Sequence, residues 1–167
     1  MKSQTSRPGV TLVEILVVLA IVTMLASVTT IVVRRLDMRA KEEALKNTLS
    51  LLDGALGEYH EATGEFPIQS VVATRPDQAL AHNQQVMNVL QAEAASRDIL
   101  NKIDASYRKN LYPTAKGSST PLDAVPEVYD PWGTAIDYVC LKGDAFPLLR
   151  SAGPDGIFGT ADDRTNR

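Results

Sequence analysis

From Val10 to Val33 the chain is apolar apart from a few small polar residues, and it carries a single charge, Glu14. About 24 residues at 1.5 Å rise cross a hydrocarbon core of roughly 30 Å with some tilt. The pattern therefore predicts a membrane-spanning helix over 10–33. A secretory signal peptide is the competing reading, but its apolar region usually runs about 7–15 residues and ends at a small-residue cleavage site. A carboxylate within such a helix costs roughly 2.5–3.5 kcal/mol on insertion scales, so Glu14 needs a compensating partner.

Beyond Val33 the pattern turns amphipathic without a break. Leu45, Leu49, Leu52, Leu56 and Tyr59 recur at spacings of four and three, which places them on one helical face, with Lys41, Glu43, Lys46, Asp53 and Glu58 opposite. With no proline before Pro67 and a stop signal at Gly64, one helix is predicted from about Thr11 to Thr63, roughly 80 Å long. Gly54 and Gly57 inside it read as points of close packing. Helical spacing returns between Asn83 and Lys102, through Val86, Val89, Leu90, Ala94, Ile99 and Leu100, and predicts a second helix.

After a loop-like composition over 113–121, the pattern changes to turns and alternation. Asp130-Pro131-Trp132-Gly133 predicts a tight turn. Ala135 to Leu141 alternates, Lys142-Gly143-Asp144 turns, and Phe146 to Arg150 returns as the partner strand of a hairpin.

Length and charge narrow the picture. Of 167 residues, about 100 remain for a globular head once the helix is set aside, enough for one modest core. The balance of 17 basic to 20 acidic residues argues against a nucleic-acid surface. The lone Cys140 excludes an intrachain disulfide and reads as a buried small hydrophobe. His60 and His82 have no cysteine or acid pair at ligand spacing and are expected to be packed or solvent-facing.

Gly9, then Val10-Thr11-Leu12-Val13-Glu14, then the apolar run, with the acid five residues beyond the glycine, resembles the class III signal of type IV pilins and type II secretion pseudopilins. The resemblance implies that a prepilin peptidase cuts after Gly9 on the cytoplasmic face and methylates the new amino terminus at Val10, while the apolar segment is kept as an anchor and filament core. Glu14 would then meet the Val10 ammonium of a neighbouring subunit and set its register. The chain departs from the family in having Val10 where Phe is usual and Pro8 where a base is common, and in lacking a proline late in the span. Removing residues 1–9 deletes Lys2 and Arg7 and leaves 15 bases against 20 acids, a formal charge of −5. Taken alone, the positive-inside rule points the other way, because Arg34, Arg35, Arg39 and Lys41 follow the span. The family signal, read by a cytoplasm-facing peptidase, favours a cytoplasmic leader.

The second informative segment is Ser151 to Asp163, where Asp155, Asp162 and Asp163 are interleaved with glycine and proline. Such a loop can present several hard oxygens to one cation, and irregular oxygen donors suit calcium better than magnesium. It offers no His or Cys for zinc and does not have EF-hand spacing. With the upstream Asp-Pro-Trp-Gly, it resembles the carboxy terminus of type II secretion major pseudopilins. That resemblance implies calcium held by Asp155, Asp162 and Asp163, with Thr160 nearby and the carbonyls of Ala152 and Ile157 completing the shell. A polar, glycine-rich tail without an ion is the alternative.

Together these resemblances imply an α+β, type IV pilin-like fold: a long amino-terminal helix on a small antiparallel sheet with a carboxy-terminal calcium loop. They imply a leader over 1–9, a transmembrane segment over 10–33 and a periplasmic head over 34–167. The expected function is structural, as a subunit of a periplasmic pseudopilus that drives protein export from the inner membrane. Its partners would be further copies, other pseudopilins, the prepilin peptidase and the inner-membrane assembly platform. Competing readings are a minor pilin of a type IV or competence pilus and a membrane-anchored calcium-binding protein. An anchored hydrolase using the three aspartates is another class, but it lacks a second acid or histidine cluster and a nucleophile–base pair.

Overall fold

A computed structural model of the chain describes residues 11–69, 71–109 and 126–167, with the side chains of 28–32 and 34 outside the description. The chain divides into two compact units, Met1–Ala40 and Lys41–Arg167. Helix α1 spans Leu12–Thr63, followed by α2 (Pro76–Ala92), α3 (Ala94–Leu100), β1 (Arg108–Lys109), β2 (Glu127–Val128), β3 (Asp137–Val139), β4 (Leu148–Ser151) and β5 (Arg164–Thr165).

From Leu12 to Leu25 the large apolar side chains of α1 are about half or more exposed, from Val17 at 49 % to Leu12 at 81 %. Among the described residues no helix is long and apolar enough to cross a membrane. Side chains there are described without a gap only from Thr11 to Ser27, short of the roughly 20 apolar residues a span takes. The segment 10–33 extends beyond that stretch at both ends.

In the second unit, the amphipathic face read from the sequence is the core. Leu45, Leu49, Leu52 and Leu56 are buried with Val86, Leu90 and Leu100 of the short helices, with Tyr138 and Leu149 of the sheet and with Ile136 just before β3, and Tyr59 is half-buried at the margin. The helix ends where expected: Gly64 takes a φ of +81°, in the left-handed region that suits glycine after a helix. Its N–H donates to the His60 carbonyl at 2.8 Å.

Two expectations change. The helix read as continuous from Asn83 to Lys102 begins earlier, at Pro76, and breaks at Glu93. Pro76 suits a first helical position, where a missing N–H costs nothing. Glu93 is extended (φ −88°, ψ 131°) and its side chain accepts from Ala94 N–H, starting α3. Nor does packing demand the helix glycines: a methyl group at Gly54 would meet Ile99 at an ordinary 3.7 Å, and one at Gly57 would meet nothing within 4 Å.

The sheets are small. β1 and β2 pair antiparallel, and β3-β4-β5 form a three-stranded antiparallel sheet. The hairpin is in the predicted place, with Asp137 opposite Arg150 and Val139 opposite Leu148. Cys140 is buried, as its apolar surroundings suggested. The observed class is thus α+β, with the second half of a long amino-terminal helix packed on small antiparallel sheets. The loop predicted over 113–121 lies outside the described residues.

Candidate functional site

Both ends of the chain carry candidate chemistry. At the amino end, Gly9 and Val10 lie outside the described residues. Glu14 is exposed in the first turn of α1. Its backbone N–H lies 3.3 Å from the Thr11 hydroxyl oxygen and 3.1 Å from the Thr11 carbonyl. Thr11 therefore caps the helix, in the Thr-x-x-Glu spacing of a capping box. Glu14 sits at the positive end of the helix dipole, where negative charge is favoured. The cap was legible in the sequence but is easily lost inside an apolar run.

At the carboxy end, the loop after β4 is pinned to the Asp-Pro-Trp-Gly turn through one buried carboxylate. Asp130 Oδ1 accepts from the N–H groups of Trp132 (3.0 Å) and Thr134 (2.8 Å), while Oδ2 accepts from the Ser151 hydroxyl at 2.6 Å. Burial pushes the Asp130 carboxyl up from its ordinary value, although these hydrogen bonds oppose the shift. The Ser151 oxygen in turn accepts from Gly153 N–H at 3.1 Å. At Gly153 the loop closes on itself: φ is +68°, and a methyl group there would lie 2.3 Å from the Asp162 carbonyl oxygen. No side chain fits between the two limbs. Beneath them Phe158 is buried with Ala73, Ala79 and Ala152.

The predicted ligands fall into two groups. Asp155, Ile157, Thr160 and Asp162 are knitted together. Asp162 Oδ2 accepts from Asp155 N–H at 3.2 Å, and Asp155 Oδ1 accepts from Ile157 N–H at 2.8 Å. The Thr160 hydroxyl lies within reach of Asp162 Oδ1 and, at 3.1 Å, of the Ile157 carbonyl. The hydroxyl contact holds the Asp162 carboxyl below its usual range, against the opposing effect of desolvation. The stability this contributes is present above the unfolded pKa and is lost as pH falls through the folded one. Asp163 turns elsewhere: Oδ2 accepts from Gly159 N–H at 2.9 Å and lies 3.6 Å from Arg150 Nη1, while Oδ1 is buried with no partner. Ala152 is fully buried at the loop's start.

Among the described residues, no three of His, Cys, Asp and Glu stand grouped to hold a metal. The donors are nevertheless all oxygen, and Asp163 Oδ1 is a buried acceptor lacking the bond that such groups normally make. Oxygen is the donor type that a hard cation takes.

Beside the loop is a buried charged network that sequence reasoning missed. Asp137, fully buried, accepts from Ala73 N–H at 3.2 Å and Arg150 Nη2 at 3.1 Å, and it lies 2.7 Å from His82 Nδ1. Its signal was an acid within the otherwise apolar run from Ala135 to Leu141. His82 is thus packed, whereas His60 is exposed and stacks on Phe66 with ring centroids 4.3 Å apart.

Comparison with known proteins bears on both ends. Residues 5–30 match the family described as the prokaryotic N-terminal methylation motif. The type II secretion system core protein G of Escherichia coli (strain K12) is 29 % identical over 169 aligned residues, covering 99 % of this chain and 94 % of that protein. No solved structure matches. The chain thus carries a prokaryotic N-terminal methylation motif and is similar, almost end to end, to a type II secretion core protein G.

Proposed function

We propose that this chain is a structural subunit of a periplasmic pseudopilus that drives protein export by type II secretion, and not an enzyme. The observation that carries this reading is similarity along nearly the whole chain to a type II secretion core protein, with the methylation motif at its start. Physical chemistry supports it. A helix whose apolar side chains from Leu12 to Leu25 stand about half or more exposed needs lipid or neighbouring subunits to cover it.

The leader over 1–9 is removed after Gly9 by a prepilin peptidase and Val10 is methylated. The segment 10–33 anchors the chain once in the inner membrane with its head in the periplasm, then becomes the core of the filament. In the assembled pseudopilus the subunit meets further copies, other pseudopilins and the inner-membrane assembly platform. Intact mass and amino-terminal sequencing after co-expression with a prepilin peptidase test the pathway. A product starting at methylated Val10 is expected; a chain retaining Met1 beside a processed control would overturn it.

We further propose that the carboxy-terminal loop holds calcium through Asp155, Asp162, Asp163 and Thr160, with the carbonyls of Ala152 and Ile157. The bound ion would supply positive charge that links the two groups of oxygens and rigidifies the head. A ligand at about 100 times its Kd stabilises the folded state by about 2.7 kcal/mol. Calcium is therefore expected to raise the melting temperature of the native chain, and Asp155→Ala or Asp162→Ala to abolish that rise. Identical melting of the native chain in calcium and in chelator would sink the ion claim.

A further inference from the structure

We propose that Arg35 and Arg39 form a binding site for the phosphates of anionic phospholipids in the periplasmic leaflet, an inference that rests on the membrane-anchored reading above. The observation that carries it is a pair of exposed guanidiniums. Among the described residues neither makes a hydrogen bond or an ion pair. Both lie on α1 within the first unit. Four residues apart, they are neighbours on one helical face. Val33 and Leu36, three apart and each 59 % exposed, lie on another. Apolar and cationic side chains side by side on one exposed turn suit the boundary between lipid and water, where a long base buries its stem and keeps its charge at the headgroups.

Length places the pair at that boundary. Arg35 follows Glu14 by 21 residues, about 31 Å of helix at 1.5 Å rise, and a hydrocarbon core is roughly 30 Å thick. With Glu14 at the cytoplasmic boundary, Arg35 stands at the periplasmic one. Arg39 is about 6 Å farther along, at the outer edge of the headgroup layer. Side chains on a helix tilt toward its amino terminus, so both arginines lean back toward the phosphates. A guanidinium meets phosphate oxygens with two parallel hydrogen bonds. The local charge also favours an anion, since Arg34, Arg35 and Arg39 outnumber Asp37 between Val33 and Ala40. This excess of bases beyond the span runs against the positive-inside rule, and lipid phosphate gives them a use on the translocated side. Bound lipid holds the unassembled subunit at a fixed depth, and entry of α1 into a filament requires its release.

The test is native mass spectrometry of the full-length chain in detergent micelles, titrated with phosphatidylglycerol or phosphatidylcholine. The native chain is expected to bind phosphatidylglycerol at least about tenfold tighter, each base at an anionic surface contributing about fivefold. Arg35→Gln combined with Arg39→Gln should abolish that preference. Arg35→Lys combined with Arg39→Lys should keep the larger part of it, because the charge remains without the planar fork. Lys102→Gln combined with Lys142→Gln removes two exposed bases from the head and should leave the preference unchanged.

Equal preference in the native chain and the double Gln variant at Arg35 and Arg39 overturns the lipid site. If that variant also loses subunit crosslinks, the arginines belong to acids of a neighbouring copy instead. An equal loss in the Lys102 and Lys142 variant overturns it as well, since net charge alone would then account for the binding. Flotation of the native chain with vesicles of the same lipids reads the anchor separately. A chain that floats without preferring phosphatidylglycerol loses the site and keeps the anchor; a chain that does not float loses both.

Discussion

Replacing Asp137 by Ala should destabilise the head by about 3–5 kcal/mol, the usual effect of removing one partner from a buried charged pair. The carboxylate is fully buried and takes contacts from three elements: the Ala73 amide before α2, His82 on α2, and Arg150 on β4. Without it, a guanidinium that is only 14 % exposed is left with a carbonyl and a weak contact to Asp163. The loss exceeds what the apolar volume of one aspartate could account for, because the penalty comes from the unpaired charge left behind. Asp137→Asn should lose less, since the amide oxygen can still accept one of these bonds. Urea unfolding of the full-length chain in micelles measures both. Equal midpoints for Asp137→Ala and native protein would mean that the network contributes no net stability.

The second large effect concerns Glu14. Substitution by Ala leaves in place the backbone N–H that Thr11 caps, so the start of α1 survives and the compact unit that begins at Lys41 keeps its melting behaviour. What the substitution removes is the proposed partner of a neighbouring subunit's Val10 ammonium. An unpaired charge in a low-dielectric contact costs several kcal/mol, and about 1.4 kcal/mol is already tenfold in an equilibrium constant. Assembly should therefore fall by well over about tenfold, read as loss of subunit crosslinks along the helix. Crosslinking at the native level in Glu14→Ala would show that the carboxylate does not set register.

Features governed by local chemistry were legible before the structure. The single helix from Leu12 to Thr63 followed from an uninterrupted apolar-then-amphipathic pattern and a glycine stop. The β3–β4 hairpin followed from alternation flanking Lys142-Gly143-Asp144. The closure of the loop around Asp155 and Asp162 spans few residues and is carried by glycine and proline. Features that depend on distant parts of the chain were not legible. His82, Asp137 and Arg150 meet only because α2 lies against the sheet, and no periodicity relates those three positions. For the same reason no local spacing announces the 3.6 Å approach of Arg150 Nη1 to Asp163 Oδ2. The break at Glu93 escaped because the apolar spacing continues across it, and only the side-chain cap to Ala94 marks the new start. Gly57 has no packing reason in the structure.

A pseudopilus subunit is one on which export depends, and that dependence is open to measurement. Its most direct test is export of the secreted proteins from cells lacking the chain but otherwise carrying an intact type II apparatus, complemented with native or Glu14→Ala protein at equal membrane levels. Export is expected to stop without the chain, to return with the native protein and not to return with Glu14→Ala. Undiminished export in cells lacking the chain would contradict the claim.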